Sequence, residues 1–508
     1  MEQKINRITD ILRRDDGISG AMMYTEQISW ILFLKFINDL EINKAEEAEL
    51  DGKEYGFIID EKYRWDAWAC PKDGKGKLDL INAKSGDDLL EFVNRELFPY
   101  LKGFKSITED VRSVKYKIGA IFEFLDNRIA NGHTLREVLD IIDAMDFHNQ
   151  SDLFQLSLVY EKLLKDMGSD GGNSGEFYTP RPLVRIITDV VDPQVGESVY
   201  DPAAGSCGFL IEAYNHMRYE DIAANKQREL STDQLKFLSQ ETFYGNEKTP
   251  LSYVMGVMNM ILHGVESPNI SKTNTLTKDI RGLEEKDRYN CILANPPFGG
   301  KEKDQIQQNF PIKSNATELL FLQHMMKSLK IGGRCGVVIP EGVLFQTNNA
   351  FQSVKKELLE NFNVHTILSL PSGVFLPYSG VKTNVIFFDR KGSTSDIFYY
   401  EVNPPYKLTK NKPIQYEHFK EFLDVWQAYH KDGTRKETEN SWVVHVNDIK
   451  DYDISAKNPN KNETIEHKSP VELVENIKLN NAEINDLMDE IEAILTTRHP
   501  ELDSGSKG

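Results

Sequence analysis

The tetrad Asn295-Pro296-Pro297-Phe298 combines residue types that could activate a planar amino group. An exocyclic amine on a base such as adenine is a poor nucleophile because its lone pair is delocalised into the ring. The Asn295 side-chain carbonyl and the Pro296 backbone carbonyl could accept hydrogen bonds from its two N–H groups. The prolines stiffen the turn and add no competing N–H donors. Phe298 could stack on a base lifted out of a duplex. A turn that only closes a strand explains the prolines but neither the amide nor the ring.

A second candidate stretch, DPAAGSCGF, occupies residues 201–209 and joins a short apolar segment to a helix-like one. Asp201 ends the apolar segment, and the small residues after it let the backbone approach a ligand closely. The stretch departs from the GxGxxG spacing, so a dinucleotide pyrophosphate is not the expected ligand. An acid in this position suits an ammonium or sulfonium group. An ordinary strand-to-helix turn is the alternative.

Glu247 ends another apolar segment, FYGNE, and could accept hydrogen bonds from both ribose hydroxyls of a nucleoside. A lone glutamate is more often a solvated surface charge. Its position at a predicted strand end, after the Asp201 loop, favours a binding role.

The elements that must position these residues change character along the chain. Residues 1–165 carry helical apolar spacing, and a Gly/Ser/Asn-rich break follows at 167–175. Beyond it, short apolar segments that end in Gly, Asp, Asn or Pro alternate with helical stretches. This alternation predicts a parallel α/β sheet, in which ligands bind at the carboxyl ends of the strands.

The last element is a predicted helix that begins at Ser469 with an N-cap, a proline and a capping-box glutamate. Ile477, Ile484 and Ile491 recur every seven residues, which is a heptad seam over about three repeats. The seam predicts docking onto helices of a partner. A helix packed on its own domain is the alternative.

Composition describes a soluble-type chain of 508 residues with a formal net charge of −19. The length predicts two or three domains, and no apolar run is long enough to span a bilayer. Four cysteines without CxxC pairs argue against a zinc site or a disulfide framework and favour the cytoplasm. The acidity opposes nucleic-acid binding by this chain alone, because phosphate neutralisation needs Lys and Arg. A nucleic-acid substrate therefore requires a partner that brings positive charge.

DPAAGSCGF followed by NPPF resembles S-adenosylmethionine-dependent DNA methyltransferases that act on adenine N6. GEFYTPRPLVRII at 175–187 resembles the additional cofactor motif of that family, and its place before the Asp201 loop matches the gamma order. With the helical N-terminal region, the segment 370–388 and the C-terminal helix, the chain resembles modification subunits of Type I restriction-modification systems. The resemblance implies a Rossmann-like α/β methyltransferase sheet in residues 166–460. An all-helical domain in residues 1–165 precedes it, and a helical tail for docking follows in residues 461–508.

The same resemblance assigns roles to residues of this sequence. The tetrad Asn295, Pro296, Pro297 and Phe298 would hold the target adenine. The cofactor S-adenosylmethionine would contact Phe177, Tyr178, Thr179, Pro180, Asp201, Ala203, Gly205, Ser206, Gly208, Glu247 and Asn274. Asp279 is an alternative to Asn274 for the cofactor's adenine. The lysines after the tetrad could touch phosphates, although solvent exposure is the expected state of such loop residues; they are Lys301, Lys303 and Lys313.

The resemblance further implies DNA as the substrate and a separate specificity subunit that reads the sequence, with two copies of this chain per specificity subunit. It leaves the recognised sequence and the presence of a restriction subunit open. Methylation of a protein glutamine or of an RNA amino group is the rival activity, because those acceptors are also planar nitrogens. A non-catalytic interaction subunit is the third reading, and the intact set of Asp201, Glu247, Asn295 and Phe298 opposes it.

Overall fold

The computed structural model of the chain describes most of residues 2–460. The described residues are 2–79, 81–145, 147, 160, 162–163, 179–222, 224, 226–376, 379–432, 437–460, 478, 481, 484, 485 and 488. The chain divides into two compact units, Met1–Asn458 and Pro459–Gly508. Most of the expected heptad helix lies outside the described residues. Of its seam, Ile484 is helical and about half exposed.

The N-terminal region is helical, as expected. Its helices are α1 (Glu2–Leu12), α2 (Ala21–Leu50), α3 (Trp65–Trp68), α4 (Gly86–Phe92), α5 (Phe98–Ile107), α6 (Val114–Phe122) and α7 (Gly132–Asp143). The apolar spacing predicts one helix over 108–127, but the observed α6 is shorter. It begins after Ser113, whose hydroxyl accepts the Tyr116 N–H at 3.2 Å and so caps the first turn.

Helices and strands alternate in the rest of the first unit. The helices are α8 (Arg181–Val191), α9 (Gly208–Arg218), α10 (Thr232–Gln240), α11 (Pro250–Leu262), α12 (Asp304–Gln307), α13 (Thr317–Ser328), α14 (Glu341–Phe345), α15 (Asn349–Asn361) and α16 (Lys420–Asp432). The strands are β1 (Val199–Asp201), β2 (Tyr219–Asp221), β3 (Lys226–Gln227), β4 (Phe243–Glu247), β5 (Asn269–Lys272), β6 (Tyr289–Ala294), β7 (Leu329–Pro340), β8 (Asn363–Ser369), β9 (Thr383–Asp389), β10 (Asp396–Glu401) and β11 (Ser441–His445).

Nine of the described strands form one sheet in the order β11-β10-β8-β9-β7-β6-β1-β4-β5. The strands from β7 through β6, β1 and β4 to β5 run parallel, as the alternating pattern predicts. Two buried clusters of apolar side chains make up the core of the unit.

The expectation of a purely parallel sheet is wrong for the segment at 382–389. Strand β9 lies antiparallel to both of its neighbours, β7 and β8, and β11 is antiparallel to β10. No helix is described between β8 and β9, so the connection lacks the helical crossover that usually joins parallel strands. All seven residues of β9 are buried, and each large apolar side chain there contributes about 1.5–3 kcal/mol, which favours a central position.

The strand order decides where the candidate residues meet. Strand β1 pairs with β4 on one side and β6 on the other, all three in the same direction. Asp201, Glu247 and Asn295 end or directly follow these strands, so all three lie at one edge of the sheet. Connections diverge to the two sides of β1, which makes this edge the switch point where α/β folds bind ligands.

A charged cluster at the opposite edge of the sheet joins the end of α8 to the last turn of α9. His216 on α9 contacts Asp192 (Nε2 to Oδ1, 2.8 Å) and Asp189 (Nδ1 to Oδ1, 3.5 Å), and the Tyr416 hydroxyl donates to Asp189 at 2.7 Å. Burial by itself lowers the pKa of His216, but hydrogen bonds and charges from the two aspartates outweigh burial and raise the pKa to about 9. The imidazolium is therefore the favoured form near neutral pH.

Replacing His216 by Gln is expected to destabilise the protein in a pH-dependent way. Because the folded-state pKa exceeds the unfolded value, the contribution is fully present below about pH 6.5 and is lost as pH rises through about 9. The loss in free energy of unfolding should be about 1–3 kcal/mol at pH 6 and much smaller at pH 10. Thermal unfolding midpoints across that range measure it, with His133→Gln at an exposed histidine as the control. Equal losses at both pH values would refute this role.

Candidate active site

Asn295 lies directly after β6, and of its two side-chain polar atoms only the amide nitrogen has a hydrogen-bond partner among the described residues. The amide nitrogen donates to Thr179 Oγ1 at 3.0 Å. The amide oxygen is buried and has no hydrogen-bond partner among the described residues. A buried carbonyl oxygen left unpaired costs about 1–3 kcal/mol. The contact with Thr179 therefore orients an acceptor that a donor from a ligand can satisfy.

The rest of the tetrad builds a short turn around that acceptor. Pro296 is buried, Pro297 is exposed and Phe298 is partly buried. The Phe298 ring packs edge-to-face against Phe375 at 6.0 Å with an interplanar angle of 85°. Gly299 follows with a positive φ of 69°, a conformation that a side chain makes costly. The turn thus places an amide oxygen, a proline carbonyl and an anchored aromatic ring in sequence.

Asp201 ends β1 as a carboxylate that is 1% exposed. Its Oδ1 accepts the Ala203 N–H at 2.9 Å. Burial raises the pKa of Asp201 to about 8; the Ala203 hydrogen bond opposes this rise, and the charge of Glu247 adds to it. A buried acid with so little compensation is well suited to an incoming cation, whose charge would favour the ionised form.

Glu247 shapes the loop that follows Asp201. Its Oε2 accepts the Gly205 N–H at 2.9 Å, and its Oε1 accepts the Thr249 N–H at 2.7 Å. Both oxygens retain a lone pair for a ribose hydroxyl, so the expected ligand contact is compatible with this role. No local sequence pattern indicates that this glutamate also ties β4 to the Asp201 loop.

The loop itself needs two left-handed residues and a glycine opposite them. Gly205 has φ 51° and Cys207 has φ 63°. A Cβ on Gly256 of α11 would lie 2.7 Å from Cys207 Sγ and 2.8 Å from the Gly205 carbonyl oxygen. The Asn259 amide, also on α11, donates to the Ser206 carbonyl at 3.0 Å. Helix α11 therefore sets the path of the loop into α9, which begins at Gly208.

The segment before α8 reaches the same loop. Arg181 donates through Nη1 to the Gly208 carbonyl at 2.9 Å, and Thr179 contacts Asn295. Pro180, between them, is the residue before α8. Thr179 and Pro180 thus lie between the loop and the tetrad, and their contact with the cofactor stays a prediction. Phe177 and Tyr178 lie outside the described residues, and their contact with the cofactor stays a prediction.

Asn274 and Asp279 differ in their availability for a cofactor. Asn274 follows β5, and its side chain caps a short turn by accepting the Leu276 N–H at 3.1 Å. The next residue, Thr275, donates to the Pro202 carbonyl at 2.6 Å, which holds this turn against the Asp201 loop. Asp279 is exposed and paired with Arg281 at 2.7 Å. The place of this turn against the Asp201 loop favours Asn274 over Asp279 as the contact to the cofactor's adenine.

Sequence reasoning missed a buried hydrogen-bond chain under the site. The Tyr200 hydroxyl accepts the Asn246 amide at 2.9 Å and lies 3.0 Å from His324 Nε2. Burial lowers the pKa of His324 to about 3, so the ring is neutral. The chain positions Asn246, which precedes Glu247. No motif marks these three residues, because each comes from a different element.

The remaining expectations are placed as follows. Lys301, Lys303 and Lys313 are exposed, as expected for loop lysines. All four cysteines are free and buried, and burial raises the pKa of Cys207 well above its usual value, so this thiol is not activated as a nucleophile. Within the described part of the chain, no group of three His, Cys, Asp or Glu could hold a metal ion. Nor does any helix found there have the length and apolarity to cross a membrane.

Two family models match nearly the whole chain. The model of the N-6 DNA Methylase family matches residues 149–469. The model of the HsdM N-terminal domain matches residues 1–142.

Individual relatives are similar over the same extent. The EcoEI methylase subunit, a Type I restriction enzyme subunit of Escherichia coli, is 37% identical over 503 residues, covering 97% of this chain and 96% of the relative. A crystal structure of a modification subunit from Vibrio vulnificus YJ016 is 36% identical with a TM-score of 0.79 and covers 92% of this chain and 99% of that one. A chain solved to explain complex assembly and conformational transition of the type I R-M system is 42% identical with a TM-score of 0.77 and covers 98% of both chains.

Proposed function

The chain belongs to the N-6 DNA methylase family of Type I modification subunits, and on that premise we propose how its residues perform methyl transfer to adenine N6. The activity is that of a site-specific, adenine-specific DNA methyltransferase. Asn295 and Pro296 accept the two N–H bonds of the target amine, and Phe298 stacks on the base. Pro297 stiffens the turn.

One observation carries the assignment to the tetrad: the buried oxygen of Asn295 has no donor within the described part of the chain. An adenine N6 amine supplies a donor of that kind. Accepting its N–H bonds draws the nitrogen towards tetrahedral geometry and frees its lone pair for attack. Thr179 Oγ1 accepts the Asn295 amide N–H at 3.0 Å and so holds the side chain in place. The base must leave its stack to reach this edge of the sheet.

The residues around β1 fit S-adenosylmethionine, which supplies a methyl group carried on a sulfonium. Asp201 holds the ammonium, since its buried carboxylate has no cation partner among the described residues and its pKa is raised to about 8. Ala203, Gly205, Ser206 and Gly208 form the small-residue loop over which the ligand lies. Glu247 accepts from the ribose, and Asn274 meets the cofactor's adenine. Phe177, Tyr178, Thr179 and Pro180 line the methionine end.

A transfer assay with a labelled methyl donor tests this function against the rival substrates. The full chain, purified with its specificity partner, should label duplex DNA, and digestion should place the label on N6 of adenine. Labelling of a protein glutamine or of RNA, with no label in DNA, would support the rival activity. Absence of label from every substrate would support a non-catalytic role.

The net negative charge of the chain indicates that DNA binding needs a partner subunit. A chain with a net charge of −19 is repelled by duplex DNA over most of its surface. We infer that a specificity subunit supplies sequence readout and much of the phosphate contact, with two copies of this chain per specificity subunit. A relative of this chain was solved in a study of complex assembly of the type I R-M system, which supports such partnership. The four free, buried thiols are compatible with a cytoplasmic site of action.

Removal of residues 469–508, which contain the heptad helix, should abolish assembly with the specificity subunit and spare cofactor binding. We propose that the heptad helix from Ser469 docks onto helices of the specificity subunit, because Ile477, Ile484 and Ile491 form one apolar seam. A chain ending at Lys468 retains the described residues of the catalytic sheet and should no longer co-purify with its partner. Calorimetry should show that the shortened chain binds the cofactor with the same affinity as the full chain. Removal of residues 500–508 alone is the control. Co-purification of the shorter chain would refute the docking role.

A further inference from the structure

A cavity of about 570 Å³ lies between the N-terminal helices and the edge of the sheet. One wall comes from residues 105–124, at the end of α5, in α6 and in the connections beside it. The other wall comes from residues of β1, β4, β5 and the start of β6. Cavities of about 300–1,000 Å³ are the size that holds small organic ligands and cofactors.

Positive charge gathers in this cavity although the whole chain is acidic. Lys117 lines it, is only 7% exposed and has no hydrogen-bond or ion-pair partner among the described residues. Arg112 also lines it. Lys272 lies over the Phe124 ring at 4.7 Å. The acid in the lining, Glu123, is already paired with Lys105 at 2.6 Å. The cavity therefore offers uncompensated cations to an anion.

The Lys117 side chain, mostly buried and lining the cavity, is the strongest sign of a missing ligand. Burial lowers the pKa of Lys117 to about 8, with Asp110 opposing that effect and Arg112 adding to it. Partial desolvation of a charge is costly, and a bound anion would offset that cost. Asn269 and Ser271 of β5 add polar groups to the lining.

Aromatic rings face the same space. Tyr289 stacks on Tyr200 with ring centroids 4.3 Å apart and an interplanar angle of 20°. Tyr244 lies 5.1 Å from Tyr289. Tyr244 and Tyr289 are both partly buried and both line the cavity. Such rings bind a planar heterocycle by stacking.

The cavity is separate from the proposed methyl-transfer site. None of the residues assigned to the cofactor or to the target adenine lines it. Its closest link to that site is Asn246, which lines the cavity, accepts the Ala204 N–H through its backbone oxygen at 2.9 Å and precedes Glu247.

We propose that this cavity is a second ligand site that binds a purine nucleotide, with the phosphate at Lys117 and Arg112 and the ring against Tyr244 and Tyr289. The enclosure by two regions of the chain favours a free nucleotide over a duplex.

Calorimetric titration of the full chain with AMP tests the site, after the cofactor site has been saturated with S-adenosylhomocysteine. AMP should bind more tightly than either adenosine or inorganic phosphate. Lys117→Met should weaken AMP binding by at least about tenfold. Lys115→Met is the matched control, because Lys115 lies over the Phe104 ring at 4.7 Å and does not line the cavity; its AMP affinity should be unchanged.

The thermal midpoint of ligand-free Lys117→Met should equal or exceed that of the parent chain, since the substitution removes a group whose pKa burial lowers to about 8. This separates lost binding from lost folding. The proposal is overturned if S-adenosylhomocysteine prevents AMP binding or if the two lysine variants bind AMP equally. Equal affinity for phosphate and AMP overturns the proposal that the purine ring stacks against Tyr244 and Tyr289. Displacement of AMP by short duplex DNA would assign the cavity to a DNA phosphate instead.

Discussion

Asn295→Ala is expected to lower the methyl-transfer rate of the assembled complex by about 1000-fold and to leave cofactor affinity unchanged. The substitution removes the buried amide oxygen that we propose as the acceptor of the N6 hydrogen, and without that acceptor the target nitrogen should stay planar. The oxygen has no described partner in the chain, so the fold loses only the hydrogen bond to Thr179. Single-turnover transfer with saturating cofactor measures the chemical step directly.

A conservative variant separates chemistry from packing. Asn295→Asp keeps an oxygen acceptor at the same position and should retain more activity than Asn295→Ala. Asn361→Ala, at the exposed last residue of α15, is the control for a general effect of amide loss. A variant Asn295→Ala with parental single-turnover rate would remove Asn295 from the mechanism. Weakened cofactor binding in that variant would instead make it part of the cofactor pocket.

Asp201→Asn is expected to weaken cofactor binding by about 100-fold, because the amide cannot compensate the ammonium of the ligand. It keeps an oxygen for the Ala203 N–H, which donates at 2.9 Å, so the loop should hold its shape. Calorimetry of the full chain measures the affinity. Asp233→Asn, at an exposed aspartate of α10, is the control and should bind the cofactor normally.

The same variant carries a stability signature of opposite direction. Because burial raises the folded-state pKa of Asp201 to about 8, the carboxylate destabilises the ligand-free fold increasingly as pH rises from about 4 to about 8. Ligand-free Asp201→Asn should therefore melt at or above the parental temperature at pH 8.5. A lower midpoint together with weak binding would show a damaged loop rather than a lost charge.

The residues at strand ends were predictable because their chemistry is local. Asp201, Glu247 and Asn295 each close a short apolar segment, and parallel strands bring such ends to one edge. Their meeting at that edge is what the strand order β4-β1-β6 provides. The helical apolar spacing of residues 1–165, together with the resemblance, also predicted the helical N-terminal region.

Other features depend on residues far apart in the chain and left no local pattern. The hold of Thr179 on Asn295 joins positions 116 residues apart, and that of Glu247 on Gly205 joins positions 42 apart. The reversed direction of β9 follows from a connection without a described helix, whereas its apolar residues suit either direction. The cavity at Lys117 joins the N-terminal helices to β5, and single lysines give no sign of such a meeting. The domain boundaries at 165 and 460 and the contacts of Phe177 and Tyr178 remain predictions.

The most direct test of the central claim, that Asn295 holds the adenine whose N6 is methylated, is a map of N6-methyladenine in host DNA. Cells that lack other adenine methylation should express the chain together with its specificity subunit. The parent chain should methylate adenines within one recognition sequence, and Asn295→Ala should leave that sequence unmethylated while still co-purifying with the partner. Full methylation of the same sequence by the Asn295→Ala complex would contradict the claim.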